Sequence, residues 1–188
     1  MKKMDNNAAD MIPIRLIISI TLVAAIIAIL AIGYNSLRIV LSENQVEKDC
    51  KALESKFYTM IASGVTRDVN EINAAEGTKR AYTFNLPENI IFLSFGVDPD
   101  QDNNGILETG LTSNGAVIFY KINGGSKKVI WLNSDFKFRE GYYDGSKWVI
   151  NNNGEGFIIK NPGEIKLNFE YVKRNTEEFI LIQSNDGI

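Results

Sequence analysis

From Leu16 to Ile32 the chain carries no charged residue, and Ser19 and Thr21 are the only polar ones. No other feature of the sequence restricts the fold as much. The wider segment, Met11 to Tyr34, reads MIPIRLIISITLVAAIIAILAIGY. A helix crosses the hydrocarbon core of a bilayer with about 20 apolar residues at a rise of about 1.5 Å each. This segment is apolar on every face, whereas a helix of a soluble core shows one apolar stripe. Arg15, near its start, can snorkel to the headgroups. Asp10 reads as the N-cap, Pro13 as a first-turn proline and Tyr34 as an interfacial aromatic. The run is too long for the core of a cleaved signal, and no A-x-A-like site follows it. Residues 11–34 are therefore expected to form a transmembrane helix of a single-pass protein of the cell membrane, in contact with membrane lipid, with 1–10 as a leader or tail. Lys2, Lys3 and Arg15 precede the span, and Arg38 and Lys48 follow it. That bias favours a cytoplasmic N-terminus and an extracytoplasmic C-terminal domain.

The helical pattern continues past the apolar run. Val46, Cys50, Leu53, Phe57 and Met60 recur every three or four residues, with Glu47, Lys48, Lys51, Glu54 and Lys56 between them. This is one apolar stripe on a helix. No proline interrupts residues 35–64, and Gly64 is a natural stop. One helix over about 11–63 is expected, its amphipathic part resting on the following domain or on a partner helix. Cys50 falls in the stripe and reads as a small buried hydrophobe. As the single cysteine it excludes an intrachain disulfide and a cysteine-based zinc site.

Residues 65–80 read as a connection, with a short helical turn near Val69 to Ala75. A β domain is expected over 81–188. Its β-type runs are Ala81–Leu86, Ile90–Val97, Ala116–Ile122, Lys127–Leu132, Phe136–Arg139, Lys147–Ile150, Gly156–Lys160, Glu164–Val172 and Glu178–Ser184. Ile165, Leu167, Phe169 and Tyr171 alternate with Lys166, Asn168 and Glu170, the period of a half-buried strand. Asn123-Gly124-Gly125, Asp144-Gly145, Asn153-Gly154 and Asn161-Pro162-Gly163 supply turns between the runs. The fold class is thus α+β: a long N-terminal helix, then an antiparallel β-sandwich or meander.

Composition narrows the function. Net charge is −3, and no basic cluster exists to bind phosphates, so no nucleic-acid partner is expected. Lys127-Lys128 and Lys173-Arg174 read as solvated turns. There is no histidine, which removes the commonest general base and metal ligand. No catalytic constellation emerges, and the chain is not read as an enzyme. Most aromatic residues are assigned to core and cross-strand packing, with Trp131 and Trp148 as an alternative binding face.

One local motif stands out. Asp98, Asp100, Asp102 and Asn104 alternate along a loop, followed by Gly105 and Glu108. Calcium takes six to eight oxygens, and alternate side chains of a tight loop can converge on it. From Asp100 the spacing resembles an EF-hand loop through Asp102, Asn104, Gly105, Leu107 and Glu108, with Leu111 where the bidentate glutamate stands. Two readings follow. Asp98, Asp100, Asp102, Asn104 and Glu108 surround a structural calcium ion, or the loop is an acidic hairpin held by Asx turns.

The order of parts resembles a type IV pilin-like protein of the archaeal type: a short basic leader, Met1-Lys2-Lys3, an apolar helix continuing as an amphipathic one, then a β domain. Met11-Ile12-Pro13-Ile14 is similar to the proline-containing start of archaeal pilin helices. The resemblance implies a structural or assembly subunit of the cell envelope, packing through its N-terminal helix against copies of itself or other pilin-like subunits. The membrane-anchored β-sandwich proteins of the archaellum stator are similar in layout. They imply instead a monomeric anchored binding module that contacts an envelope partner.

Overall fold

The computed structural model describes residues 7–71, 73–151 and 154–184. The leader Met1-Lys2-Lys3 and Asn153 of the Asn153-Gly154 turn lie outside them. The chain divides into two compact units, Met1–Val40 and Leu41–Ile188. One helix, α1 (Asn7–Ser63), contributes to both.

α1 starts before Asp10, so Asp10 does not cap it. Ala8 and Ala9, strong helix formers, carry the helix upstream. Pro13 consequently sits inside the helix and leaves the Ala9 carbonyl without its usual i+4 donor. From Ile14, at 57%, to Ile32, at 70%, every large apolar side chain is exposed. The hydroxyls of Ser19 and Thr21 donate to the carbonyls of Arg15 and Ile17, at 2.9 and 2.8 Å. The run therefore presents no unsatisfied side-chain donor to an apolar medium. Among the described residues one helix, within Pro13–Ser63, is long and apolar enough to cross a membrane, and none of its apolar window is buried in the protein.

In the second unit the stripe is buried: Val46, Cys50, Leu53 and Met60 are fully covered and Phe57 is 1% exposed. The helix ends at Ser63, one residue before Gly64. Gly64 acts here by close approach, because a Cβ would lie 2.0 Å from the Met60 carbonyl oxygen and 2.9 Å from Thr78 Oγ1.

Among the described residues ten strands follow: β1 (Arg67–Asp68), β2 (Lys79–Leu86), β3 (Ile90–Phe95), β4 (Val117–Ile122), β5 (Lys128–Trp131), β6 (Lys137–Tyr143), β7 (Trp148–Ile150), β8 (Phe157–Ile159), β9 (Gly163–Arg174) and β10 (Glu177–Ser184). They form two sheets. The first runs β1-β9-β10-β6-β7, with β2 also paired to β9; the second runs β5-β4-β3-β8. β2 and β1 follow one another along the same edge of β9, covering Gly163–Glu170 and Val172–Lys173. Ring contacts join the layers. Phe57 of α1 meets Phe138 of β6 and Phe169 of β9 edge-on, at 5.5 and 5.1 Å. Phe95 of β3 meets Phe84, Phe138 and Phe169 of the first sheet at 5.4–6.0 Å. Both sheets and the helix stripe thus share one aromatic core.

Three expectations are corrected. Residues 65–80 contain strand β1. The described residues between Val69 and Ala75 form turns, closed by Glu71 N–H to Asp68 O and Ala74 N–H to Glu71 O, and no helix. Pairing is antiparallel throughout the second sheet, but β1 with β9 and β10 with β6 run parallel in the first. No hairpin links either pair; long connections return the chain in the same direction.

Candidate functional site: the acidic loop and its cleft

β3 leads into the loop at Gly96, whose φ is +80°. A Cβ there would stand 2.0 Å from Ser113 Oγ, so only glycine fits. The loop then folds on itself by Asx turns. Asp98 Oδ1 accepts from the Asp100 N–H at 3.1 Å, Asp102 Oδ1 from the Asn104 N–H at 3.3 Å, and Asn104 Oδ1 from the Ile106 N–H at 2.6 Å. Asn103 and Gly105 adopt positive φ, 56° and 82°, which lets the turns close. The Glu108 N–H donates to the Pro99 carbonyl at 2.8 Å and joins the two ends.

The carboxylates have cationic partners from the second sheet. Lys121 of β4 reaches Asp100 Oδ2 at 2.7 Å. Lys127 reaches Asp98 Oδ2 and the Asp100 carbonyl, both at 2.6 Å. Asp100 is 1% exposed and also accepts from the Gly105 N–H at 3.0 Å. The Lys121 ammonium, and then the Gly105 N–H, hold its carboxyl below the usual range against the opposing effect of burial. Asp102, Asn104 and Glu108 are exposed. The structure therefore brings Asp98 and Asp100 together on two lysines and leaves the other three at the rim. Among the described residues no group of three or more acidic, cysteine or histidine side chains is placed to hold a metal ion.

Lys127, read from sequence as part of a solvated pair, has a side chain only 13% exposed. The sequence carried one hint of these partners: Lys121 interrupts an otherwise apolar strand between the buried Tyr120 and Ile122. Its contact with Asp100 is remote in sequence and has no local signature.

Beside the loop lies a cleft of about 420 Å³. Phe119 and Trp131 form its aromatic wall, and Asp98, Gln101, Thr112 and Asn114 supply polar groups. Trp131 is 72% exposed, whereas Trp148 packs partly buried against Ile150, Val172, Phe179 and Leu181. Of the two tryptophans considered for a binding face, Trp131 is the one that offers a ring to solvent. An exposed ring with amide and carboxylate neighbours can bind a ligand. Catalysis by a thiol is not built here: Cys50 is fully buried in the helix stripe, and burial, reinforced by Asp49 and Glu47, pushes its thiol far up. Comparison with family models, with curated proteins and with solved structures finds no match to this chain.

Proposed function

We propose that this chain is a pilin-like structural subunit of the cell envelope, anchored by α1 and exposing its β domain outside the cytoplasm. The observation that carries the reading is α1 itself. One uninterrupted helix, Asn7–Ser63, has an all-round apolar part with no cover in the chain and a striped part buried in the β-rich unit. A soluble monomer rarely exposes so large a contiguous apolar surface. Lipid or neighbouring helices cover it. Ala24, Ala25, Ala28, Ala31 and Gly33 lie within that surface, and small residues let helices approach closely in a bilayer. Lys2, Lys3 and Arg15 before the span support a cytoplasmic N-terminus. The β domain, read as sandwich-like, is the part displayed.

The exposed Trp131 cleft favours a second reading, a monomeric anchored binding module similar in layout to the β-domain proteins of the archaellum stator. Oxidative crosslinking in native membranes separates the two. Cys50 is buried and silent, so Ile27→Cys and Ala31→Cys supply the reactive thiols. Ladders of crosslinked chains, with surface filaments in electron micrographs and a processed N-terminus by mass spectrometry, support the subunit. A chain that stays monomeric and keeps residues 1–10 overturns it and leaves the anchored module.

A further inference from the structure

We propose that a second cleft, floored by Arg67, binds a carboxylate-bearing sugar of the hexuronate class. This cleft, about 500 Å³, lies within the β-rich unit and involves neither the acidic loop nor self-assembly. Arg67, on β1, is 4% exposed. Its Nε and Nη2 form a fork on Glu170 at 2.7 and 3.0 Å, and Nη2 also donates to the Trp148 carbonyl at 2.8 Å. Nη1 is buried and has no partner among the described residues. Glu170 cannot serve it. That carboxylate, 1% exposed, already accepts from the Gly77 N–H at 3.1 Å and Gln183 Nε2 at 3.0 Å besides the Arg67 fork. A buried guanidinium nitrogen with two idle N–H groups is costly and calls for an acceptor.

The cleft is lined by three cationic side chains, Arg67, Lys79 and Lys147, and two carboxylates, Glu76 and Glu170. Lys79 is held by Glu76 at 2.6 Å. Asp144 is committed to its own turn, accepting from the Ser146 and Lys147 N–H groups at 2.9 and 2.8 Å. Lys147 lines the cleft and forms no ion pair among the described residues. Arg67 and Lys147 thus line one cleft with two side chains of the same sign, and a monoanionic carboxylate can pair with both. A doubly charged phosphate would face Glu76 and Glu170 with too little positive charge to balance it. Nη1 is itself closed to solvent, so its pairing with the acid requires the atoms that cover it to shift.

The rest of the ligand is specified by the walls. Tyr143 and Trp148 stand 5.9 Å apart with their rings tilted by 55°. Trp148 is fixed by its packing on Val172 and Phe179. Aromatic faces suit the C–H faces of a pyranose, and Glu76 and Ser146 at the rim offer partners for its hydroxyls.

The test is titration of the full-length protein in detergent micelles with glucuronate, followed by tryptophan fluorescence and calorimetry, against glucose, acetate and N-acetylglycine. Glucuronate is expected to bind about tenfold or more tightly than the other three. Lys147→Gln should weaken it severalfold with an unchanged melting temperature, and Arg67→Lys should weaken it further. If Arg67→Lys does not fold, Lys147→Gln and Tyr143→Ala, both at the rim, carry the test. Equal binding of acetate and glucuronate overturns the sugar assignment. So does tighter binding of N-acetylglycine, which points to a peptide terminus. No binding at roughly 50 mM glucuronate, or no effect of Lys147→Gln, overturns the site.

Discussion

Two stretches of one helix obey different rules. Between Pro13 and Ile32 apolar residues occupy every face, and the large ones stand in the open, Val23 at 53% and Ile29 at 69%. Between Ser42 and Ser63 one apolar line, Val46, Cys50, Leu53, Phe57 and Met60, is buried, and the charged residues lie off that line. The backbone is the same in both, so helix propensity does not separate them. The periodicity of charge does. A stripe is satisfied by the chain that carries it, whereas a collar of apolar residues is satisfied only by something else.

The sharpest way to break this contrast is Phe57→Ala. Phe57 touches Phe136, Phe138 and Phe169, so the truncation should cost about 3–5 kcal/mol of domain stability and leave membrane partition untouched. Calorimetric melting of the full chain measures it, and an unchanged midpoint would mean the stripe does not support the core. The converse change is Ile27→Asp. A carboxylate in mid-span should cost about 2.5–3.5 kcal/mol of insertion and leave the melting midpoint alone. Carbonate extraction of membranes reads the first quantity; a variant retained in the membrane like wild type would refute the span.

Charge in the acidic loop extends the contrast, because that region too is satisfied from within. Asp98→Asn removes the negative charge that faces Lys127, two side chains that are 19% and 13% exposed, and should cost about 1.5–3 kcal/mol by denaturant titration. Acid supplies the smallest effect. With its carboxyl held down by Lys121, Asp100 stabilises the fold fully above its unfolded value near 3.8, and that contribution is lost as pH falls through the lower folded value. Asp100→Asn should therefore flatten the fall of the melting midpoint below about pH 4, and a parallel fall in both proteins would contradict the Lys121 pairing. In the same assay 10 mM calcium against chelator should leave the wild-type midpoint in place at neutral pH, since Lys121 and Lys127 already balance Asp100 and Asp98; a rise would show that the cation displaces them.

The legible parts of this fold are those written in local chemistry. The helix stop at Gly64 and the nine longer strands could be read because turn residues and alternation mark them within a few positions. β1 could not: two residues long, it exists only because Val172 and Lys173 pair with it. The alternation along β9 predicted Glu170 on the open face, yet it is 1% exposed, because Arg67, Gly77 and Gln183 close over it from distant parts of the chain. The acidic loop shows the same division. Its turns and its need for a counter-charge follow from Asp98 to Gly105. That the counter-charge comes from Lys121 and Lys127 depends on where β4 and the turn after it pass, which no window of sequence records.

Among the described residues β10 follows every other strand, yet it lies inside the first sheet, flanked by β9 and β6. Phe179, Ile180, Leu181 and Ile182 on it are wholly buried. During vectorial synthesis β6 and β7 therefore emerge well before the strand that joins them to β9, β2 and β1. At about 5–20 residues per second that interval lasts seconds. The sheet exists until then as two unconnected halves with open edges and bare phenylalanines. A polypeptide in that state offers open strand edges and apolar side chains to other chains, so a chaperone that covers them would suppress aggregation.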